Sequence, residues 1–277
     1  MKLIFGGTGL VGSNFSNGIK LSSKDVNLLD YNDTLNCIKH HQPEIIIHSA
    51  CKKLSSKLLY DNSADYFDEN VQISLNIFKA AAVCNIKKLV VIASINAFLD
   101  ENTLLLSDIY NHNIKKILST EYYKQYSLKS NIIYLSNVFG PNYKDSRNGF
   151  IPLVIEKCYD AIINNTDIVL TGNKLHTRNF IYINDVVDAI ELHINSDNDI
   201  ILTTDKTYTL EYIANQVAKI MKFRGNIIWE GEFDDIKDKN INYSTQQLIK
   251  LNQTSIGDAL ANTIKWYLTS KSGIELT

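Results

Sequence analysis

The chain has 277 residues, of which 45% are hydrophobic, 21% charged and 10% aromatic. This composition is typical of a folded globular protein and excludes a disordered or low-complexity chain. The formal net charge of −2 provides no strong basic field for a polyanion, so we do not expect nucleic acid as a partner.

The cysteines predict the redox compartment. Cys37, Cys51, Cys84 and Cys158 are scattered without a CxxC pair, which predicts neither a disulfide framework nor a metal site. Free thiols of this kind are typical of a reducing compartment.

The sequence shows no signal-peptide pattern and no apolar run of about 18 residues. We therefore expect a cytoplasmic protein that does not associate with membranes.

The first half of the sequence alternates between short apolar runs and segments with helical spacing. Strands are predicted at Lys2–Phe5, Glu44–Ala50, Lys88–Ala93 and Asn131–Asn137. Helices are predicted at Leu10–Gly18, Asp33–His41, Tyr66–Cys84 and Tyr110–Tyr126. Strands that are separated by helices imply parallel crossovers, so the predicted fold class is α/β with a Rossmann-type doubly wound parallel sheet.

A glycine-rich loop follows the first predicted strand. The segment Gly6-Gly7-Thr8-Gly9-Leu10-Val11-Gly12 carries glycines at three-residue spacing and opens the first helix. Small residues let the backbone approach a pyrophosphate, and the free N–H groups at a helix start stabilise its negative charge. The pattern favours dinucleotide binding, and the alternative is a tight glycine turn without a ligand.

The regular alternation of predicted strands and helices ends at Pro141. A helix is predicted at Ile151–Asn164, and the elements beyond it alternate less regularly. We predict a dinucleotide-binding domain over residues 1–141 and a smaller α/β portion over residues 142–277 that mainly binds substrate and can interleave with the first.

An ordered set of motifs now points to a family. The matching segments are Gly6–Ser13, Val26–Asp30, Ile45–Lys52, Asn70-Val71, Ala93–Phe98, Ser136–Pro141, Thr177–Tyr182 and Thr263–Tyr267. With these motifs the chain resembles the extended short-chain dehydrogenase/reductase family, in its nucleotide-sugar epimerase/dehydratase branch, and within that branch the GDP-L-fucose synthase group. The resemblance implies an NAD(P)-dependent enzyme that acts on a nucleotide sugar.

The resemblance also implies cofactor-binding residues. The pyrophosphate would be held by Gly6, Thr8, Gly9, Leu10 and Val11, and the nicotinamide ribose would lie beside Ser49, Ala50 and Cys51. These segments end strands, which agrees with ligand binding at the carboxyl ends of parallel strands.

The adenosine end of the cofactor is less clearly marked. Asp30 would approach the adenine, or it is a helix N-terminal charge, and the two interpretations are equally favoured. The acidic residue that usually binds the adenosine ribose is not visible, and Ser22, Ser23 and Lys24 occupy that region. Hydroxyl groups with a cation suit a 2′-phosphate, so NADP is favoured over NAD.

The resemblance implies a catalytic Ser, Tyr and Lys that move protons during hydride transfer. Ser94 matches the Ser, and Tyr110 is the best candidate for the Tyr. The Lys should follow the Tyr by four residues, but Ile114 stands there and Lys115 is one residue further. On a regular helix Lys115 is rotated by about 100° more, so it should point away from the cofactor unless a π-bulge restores it.

The substrate side carries further implied residues. Asn96 and Gly149 stand where the GDP-L-fucose synthase group has its epimerisation acid and base, so carbanion epimerisation is disfavoured. Asn137 would contact the substrate diphosphate or sugar, with loop capping as the alternative. Arg178 would grip a phosphate, with an ion pair to Asp185 as the alternative.

The prediction is an NAD(P)-dependent nucleotide-sugar oxidoreductase that reduces a 4-keto sugar, with Asn96, Asn137 and Arg178 on the substrate side. The alternative is a catalytically silent relative that binds a dinucleotide or sugar nucleotide as a sensor or assembly subunit. The family also implies a homodimer through the helices at Tyr66–Cys84 and Tyr110–Tyr126. No metal is expected, because the six histidines lack metal-ligand spacing.

Overall fold

The computed structural model describes residues 1–54, 56–99, 106–145, 149–231 and 248–272. The chain divides into two compact units. The first comprises Met1–Leu135, Val187–Leu202 and Asn240–Ile249, and of this last range residues 248 and 249 are described. The second comprises Ser136–Val186, Thr203–Lys239 and Lys250–Thr277. Later stretches of the chain therefore return to the first unit.

The described strands and helices are as follows. The strands are β1 (Lys2–Phe5), β2 (Ile19–Leu21), β3 (Ile45–His48), β4 (Lys88–Ser94), β5 (Ser130–Leu135), β6 (Asn137–Phe139), β7 (Ile168–Thr171), β8 (Thr177–Arg178), β9 (Phe180–Tyr182), β10 (Ile200–Thr203), β11 (Tyr208–Thr209), β12 (Ile227–Glu230) and β13 (Leu248–Lys250). The helices are α1 (Leu10–Ser13), α2 (Tyr31–His41), α3 (Ser56–Asp61), α4 (Ser63–Val83), α5 (Leu106–Tyr126), α6 (Phe150–Asn164), α7 (Ile183–His193), α8 (Leu210–Ile220) and α9 (Ile256–Ser272).

A seven-stranded sheet forms the centre of the first unit. Its order is β13-β10-β5-β4-β3-β1-β2, and the pairings from β2 to β10 are parallel. Strands β1 and β3 are almost fully buried and apolar, as expected for strands that helices cover on both faces. The predicted Rossmann-type doubly wound sheet is confirmed.

Helix α4 supplies much of the cover on one face of this sheet. Ile77, Phe78 and Ala81 are completely buried there and belong to the same core cluster as Leu89 and Val91 of β4. Helix α5 packs beside α4. Burial of side chains as large as Ile77 and Phe78 stabilises the fold by about 1.5–3 kcal/mol each, so α4 is held against the strands that carry the candidate site.

The first crossover is shorter than the sequence pattern predicts. The prediction of a helix from Leu10 to Gly18 is wrong, because α1 ends at Ser13 and the chain enters β2 at Ile19. Asn14 ends the helix by donating from its amide Nδ2 to Leu10 O at 2.7 Å. Gly18 then takes a positive φ of 122°, which turns the chain into the strand. The side-chain hydrogen bond of Asn14 and the backbone conformation of Gly18 thus end the helix earlier than the apolar spacing predicts.

In the part of the second unit that the structure describes, there are three small strand pairs and several helices. Strand β6 pairs with β9 and β7 pairs with β12, both in parallel, whereas β8 pairs with β11 in antiparallel fashion. An aromatic cluster is part of its core: the ring of Tyr143 lies 4.9 Å from that of Trp266 and stacks on that of Tyr267 at 6.0 Å. No helix among the described residues has both the length and the apolar character needed to cross a bilayer.

Replacing Gly12 by alanine should destabilise the protein. A Cβ at this position would lie 2.3 Å from Gly6 O and 2.9 Å from Ser49 Oγ, so backbone would have to move. We expect Gly12→Ala to lower the free energy of unfolding by about 1–3 kcal/mol, measured by urea denaturation. Gly257→Ala is the matched control, because its nearest neighbour would be Ser255 Oγ at 3.9 Å. Equal unfolding midpoints for the two variants would contradict the close contact.

Candidate functional site

The strand order defines where a ligand can bind. From β1 the chain proceeds to β2 on one side, and from β2 it crosses over to β3 on the other side of β1. In open parallel sheets, ligands bind at such a switch point, beyond the carboxyl ends of the strands. The segments at this switch point are the glycine loop after β1 and Ser49–Cys51 after β3.

The glycine loop is held tightly on its protein side. Gly6 has a φ of 83°, and a Cβ there would lie 2.7 Å from Ala50 N. The Gly7 N–H donates to Leu21 O at 2.8 Å, which fixes the loop to the end of β2. Side chains at these positions would therefore push the loop away from β2 and β3.

The other side of the loop fits a dinucleotide phosphate. At Gly9 a Cβ would meet only Gly6 O, at 3.2 Å, so this part of the loop is open. Gly9 caps α1 without a side-chain hydrogen bond. The N–H groups of Leu10 and Val11 open the helix, so they have no intrahelical acceptor and are suited to an anionic group. Thr8, which precedes Gly9, is exposed.

The segment after β3 is ordered by hydrogen bonds to neighbouring elements. Ser49 donates from its N–H and from its Oγ to Phe5 O, at 3.0 and 2.8 Å. Asn70 of α4 binds the backbone of Lys52 from both sides: Oδ1 accepts from Lys52 N at 2.8 Å, and Nδ2 donates to Lys52 O at 3.1 Å. Ala50 and the exposed Cys51 lie between these two anchors.

At the adenosine end, Asp30 is the N-cap of α2. Its Oδ1 accepts from Asp33 N at 2.8 Å, as expected for a helix N-terminal charge. Its approach to the adenine stays a prediction. Ser22 follows β2 directly and donates from both its N–H and its Oγ to Asp25 Oδ2, at 2.8 and 2.7 Å. The Asp25 carboxylate is thus turned back onto its own loop, while Lys24 is exposed.

Helix α5 presents a different face than expected. Lys115, which was predicted to point away from the cofactor, is buried against the sheet: it is 3% exposed, whereas Tyr110 is 41% exposed. The helix is α-helical throughout the described range 106–126, so no π-bulge rotates the two residues into line. The residue one turn before Lys115 on the same face is Asn111, which is completely buried.

The buried Lys115 is directed at the sheet. Its Nζ donates to Ile92 O of β4 at 2.9 Å. Burial lowers the pKa of Lys115 from its ordinary value, and the nearby Cys51 and Asp108 offset this in part. His48 of β3 lies in the same buried layer with Nε2 3.1 Å from Ser74 Oγ, and burial together with the Lys115 charge lowers its pKa well below the usual range.

A polar cluster around Asp108 joins α5 to α4 and to the end of β4. Asp108 Oδ1 accepts from Tyr66 Oη at 2.8 Å and lies 3.5 Å from His112 Nε2. Its Oδ2 accepts from Asn96 Nδ2 at 2.6 Å. Burial acts to raise the pKa of Asp108, but the hydrogen bonds from His112, Asn96 and Tyr66 hold it well below its ordinary value.

Ser94 lies at the edge of this cluster. Its Oγ accepts from Asn96 N at 3.1 Å, and its N–H donates to His112 Nδ1 at 3.3 Å. The structure therefore brings Ser94 and Asn96 together with Asp108 and His112, which the sequence analysis missed. Their signal was present in the sequence: Asp108 and His112 are one helical turn apart, as are Asn111 and Lys115.

The two predicted phosphate- and sugar-binding residues belong to the second unit. Asn137 Nδ2 donates to Asn179 O at 3.1 Å, and Arg178 Nη1 donates to Thr177 O at 2.7 Å. The carboxylate of Asp185 accepts from Thr254 N and Oγ1, at 3.0 and 2.6 Å. Among the described residues, no group of three His, Cys, Asp or Glu side chains is placed to hold a metal ion.

The sheet order, the glycine loop and the open carboxyl edge together define a dinucleotide-binding protein of the Rossmann class. Residues 2–201 match the model of the NAD dependent epimerase/dehydratase family. The chain belongs to this family, which confirms the resemblance predicted from the motifs.

Individual relatives are distant but span the chain. The GDP-L-fucose synthase of Dictyostelium discoideum is 24% identical over 304 residues, covering 96% of this chain and 94% of the relative. A GDP-L-fucose synthetase from Naegleria fowleri bound to NADP superposes with a TM-score of 0.81 at 19% identity, covering 99% and 96% of the two chains. A GDP-6-OMe-4-keto-L-xylo-heptose reductase from C. jejuni superposes with a TM-score of 0.83 at 17% identity, covering 97% and 98%.

The clamp by Asn70 generates a prediction. In Asn70→Ala the N–H and the carbonyl of Lys52 lose their partners, and each unpaired group costs about 1–3 kcal/mol when it remains buried. We expect faster hydrogen exchange at the Lys52 amide and a lower melting temperature. Asp68→Ala on the exposed side of the same helix serves as the control. Unchanged exchange at Lys52 in Asn70→Ala would rule out the clamp.

Proposed function

We propose that this protein is an NADP-dependent oxidoreductase that reduces a keto group of a nucleotide sugar, with GDP-linked 4-keto sugars as the first substrate class to test. The observation that carries the proposal is the glycine loop at the switch point, open at Gly9 and closed against β2 and β3 elsewhere. Family membership and the activities named for the relatives support the class of reaction.

Different residues of the chain would bind different parts of the dinucleotide. Gly6, Thr8, Gly9, Leu10 and Val11 would hold the pyrophosphate, and Ser49, Ala50 and Cys51 would flank the nicotinamide ribose. When bound, the nicotinamide supplies the hydride. Ser23 and the cationic Lys24 would face the 2′-phosphate, because the Asp25 carboxylate is already bonded to Ser22. This arrangement and the NADP-bound relative favour NADP over NAD.

On the substrate side, Ser94 would orient the carbonyl oxygen and Lys115 would add positive charge beneath the site. Asn137 and Arg178 would contact the diphosphate of the sugar nucleotide, with the second unit as the mainly substrate-binding portion. Asn96 would act through Asp108, since its amide is bonded to that carboxylate. Reduction is favoured over epimerisation because neither Asn96 nor Gly149 exchanges protons with carbon.

One observation favours a second candidate function. Asn111 stands one turn before Lys115, where a phenol would be needed for the family's proton transfer. A chain with that change could bind the dinucleotide or the sugar nucleotide as a sensor or assembly subunit without turnover.

We further propose a cytoplasmic homodimer. Ile117 is 56% exposed and lies on the same face of α5 as Tyr110, seven residues earlier. Leu75 on the neighbouring helix α4 is also exposed. Exposed apolar side chains on two packed helices suit a second copy of the same surface.

The reduction is tested with NADPH and a GDP-linked 4-keto sugar. We expect loss of reduced-nicotinamide absorbance in step with formation of the sugar alcohol, and slower turnover with NADH. Lys24→Glu should reduce the preference for NADPH, whereas Lys39→Glu, the same charge change on exposed α2, should not. Cofactor binding without oxidation would favour the silent relative, and a protein that binds neither NADPH nor the sugar nucleotide would refute both functions.

The dimer is tested by light scattering. Ile117→Asp should shift the protein to monomers, because it places a charge on the apolar face. Ile163→Asp on α6, at a site that is 62% exposed, is the control and should leave the mass unchanged. A monomeric wild-type protein would disprove the dimer.

A further inference from the structure

A cavity lies at the amino edge of the central sheet, at the opposite end of the strands from the glycine loop. It has a volume of about 250 Å³, far more than the roughly 15 Å³ that one water needs. Strand β4 spans seven residues, so at about 3.3 Å per residue its two ends are roughly 20 Å apart. The polar residues that line the cavity all belong to the first unit: Glu44, Lys87, Lys88, Lys129, Asn195 and Asp197.

The register of adjacent strands brings two of these lysines side by side. The Leu89 N–H donates to Lys129 O at 2.9 Å, so Lys129 stands next to Lys88 where β4 and β5 begin. Neighbouring strands are about 4.8 Å apart, and like charges at that spacing repel each other. An anion between the two ammonium groups would turn this repulsion into attraction.

The two carboxylates of the lining do not neutralise its three lysines. Glu44 Oε2 lies 2.8 Å from Lys87 Nζ, and the hydrogen bond from Lys87 lowers the pKa of Glu44. Asp197 Oδ1 lies 3.2 Å from Lys88 Nζ, but the Asp197 side chain is 69% exposed. Among the described residues, Lys129 has no carboxylate partner. The cavity therefore has a net positive charge.

Lys88 is a buried cation with a donor to spare. It is only 5% exposed, and a buried charge is unfavourable unless its partners satisfy it. Its Nζ donates to Ser196 O and to Asp197 Oδ1. Because an ammonium group has three N–H donors, one remains for a group that enters the cavity.

A buried amide lies in the next row of the same sheet face. Asn131 pairs with Val90, and Val90 is two residues along β4 from Lys88, so these three side chains share a face. Asn131 is completely buried, and within the described part of the chain neither its Nδ2 nor its Oδ1 has a hydrogen-bond partner. A buried amide without partners is unfavourable, so a bound group with its hydration water would satisfy it.

We propose that this edge of the sheet binds a phosphate group, either as inorganic phosphate or on a small metabolite. Lys88 and Lys129 would supply the charge, with the Asn131 amide behind them. A phosphate group carries more than one negative charge near neutral pH, which matches two ammonium groups better than a single carboxylate does. Lysine binds phosphate as a point charge. The site is separate from the dinucleotide site and does not rest on the reductase function.

The location is tested by NMR on the full chain in phosphate-free buffer at constant ionic strength. Inorganic phosphate should shift the amide signals of Lys88, Lys129 and Asn195. Shifts confined to the glycine loop, or no shifts, would overturn the proposal. A hexose phosphate and a nucleoside monophosphate are titrated in the same way, and the tightest of the three probes identifies the source of the phosphate. Acetate that binds as tightly as phosphate would also overturn the proposal.

The charge is tested with Lys129→Gln. This side chain is exposed and has no carboxylate partner among the described residues, so the variant should fold normally. We expect phosphate to bind about tenfold more weakly by calorimetry, because one charged hydrogen-bond donor is lost. Lys265→Gln removes the same charge from an exposed position on α9 and should leave the affinity unchanged. Equal phosphate affinities in Lys129→Gln and the wild type would contradict the site.

The amide is tested with Asn131→Leu, which puts an apolar group of similar size in its place. Without phosphate the melting temperature should not fall, because the variant removes a buried amide that has no partner. Bound phosphate stabilises the folded state, so it should raise the melting temperature of the wild type more than that of the variant. An equal increase in the two proteins would show that Asn131 takes no part in binding.

Discussion

The site depends on how closely three backbone segments approach one another. Gly12 and Gly6 touch within α1 and the loop before it, and Gly6 touches the segment after β3. Any Cβ at these contacts would separate β1 from β3 at their carboxyl ends. The open part of the loop at Gly9 exists because the remaining glycines close the protein side. The shape of the dinucleotide site therefore depends mainly on how closely the backbone segments pack, and less on side chains.

The rotation of α5 about its own axis decides which of its side chains are buried beside β4. A helix rotates by about 100° per residue, so burial of Lys115 determines that Asn111 is buried and Tyr110 is turned outward. Asp108 and His112, one turn apart on the same helix, contact Asn96 and Ser94 at the end of β4.

Much of the fold was predictable because the buried strands are continuous apolar runs and the helices between them are long and periodic. Lys2–Phe5 was predicted with its observed bounds, and the doubly wound sheet follows from the alternation. The end of α1 was not predictable from periodicity, since Asn14 and Gly18 stop the helix through local hydrogen bonding and backbone conformation. At the site, the glycine loop was readable from spacing. The orientation of α5 was not, because a Tyr-to-Lys spacing does not say which of the two residues the core will bury.

The one-turn helix α1 has a consequence for how a dinucleotide is recognised. Four residues sum only a small axial dipole, so attraction for the pyrophosphate comes from individual N–H contacts that act over a few ångströms. Such a site attracts an approaching anion only weakly at long range. Its selectivity comes from short-range contacts with the bound group.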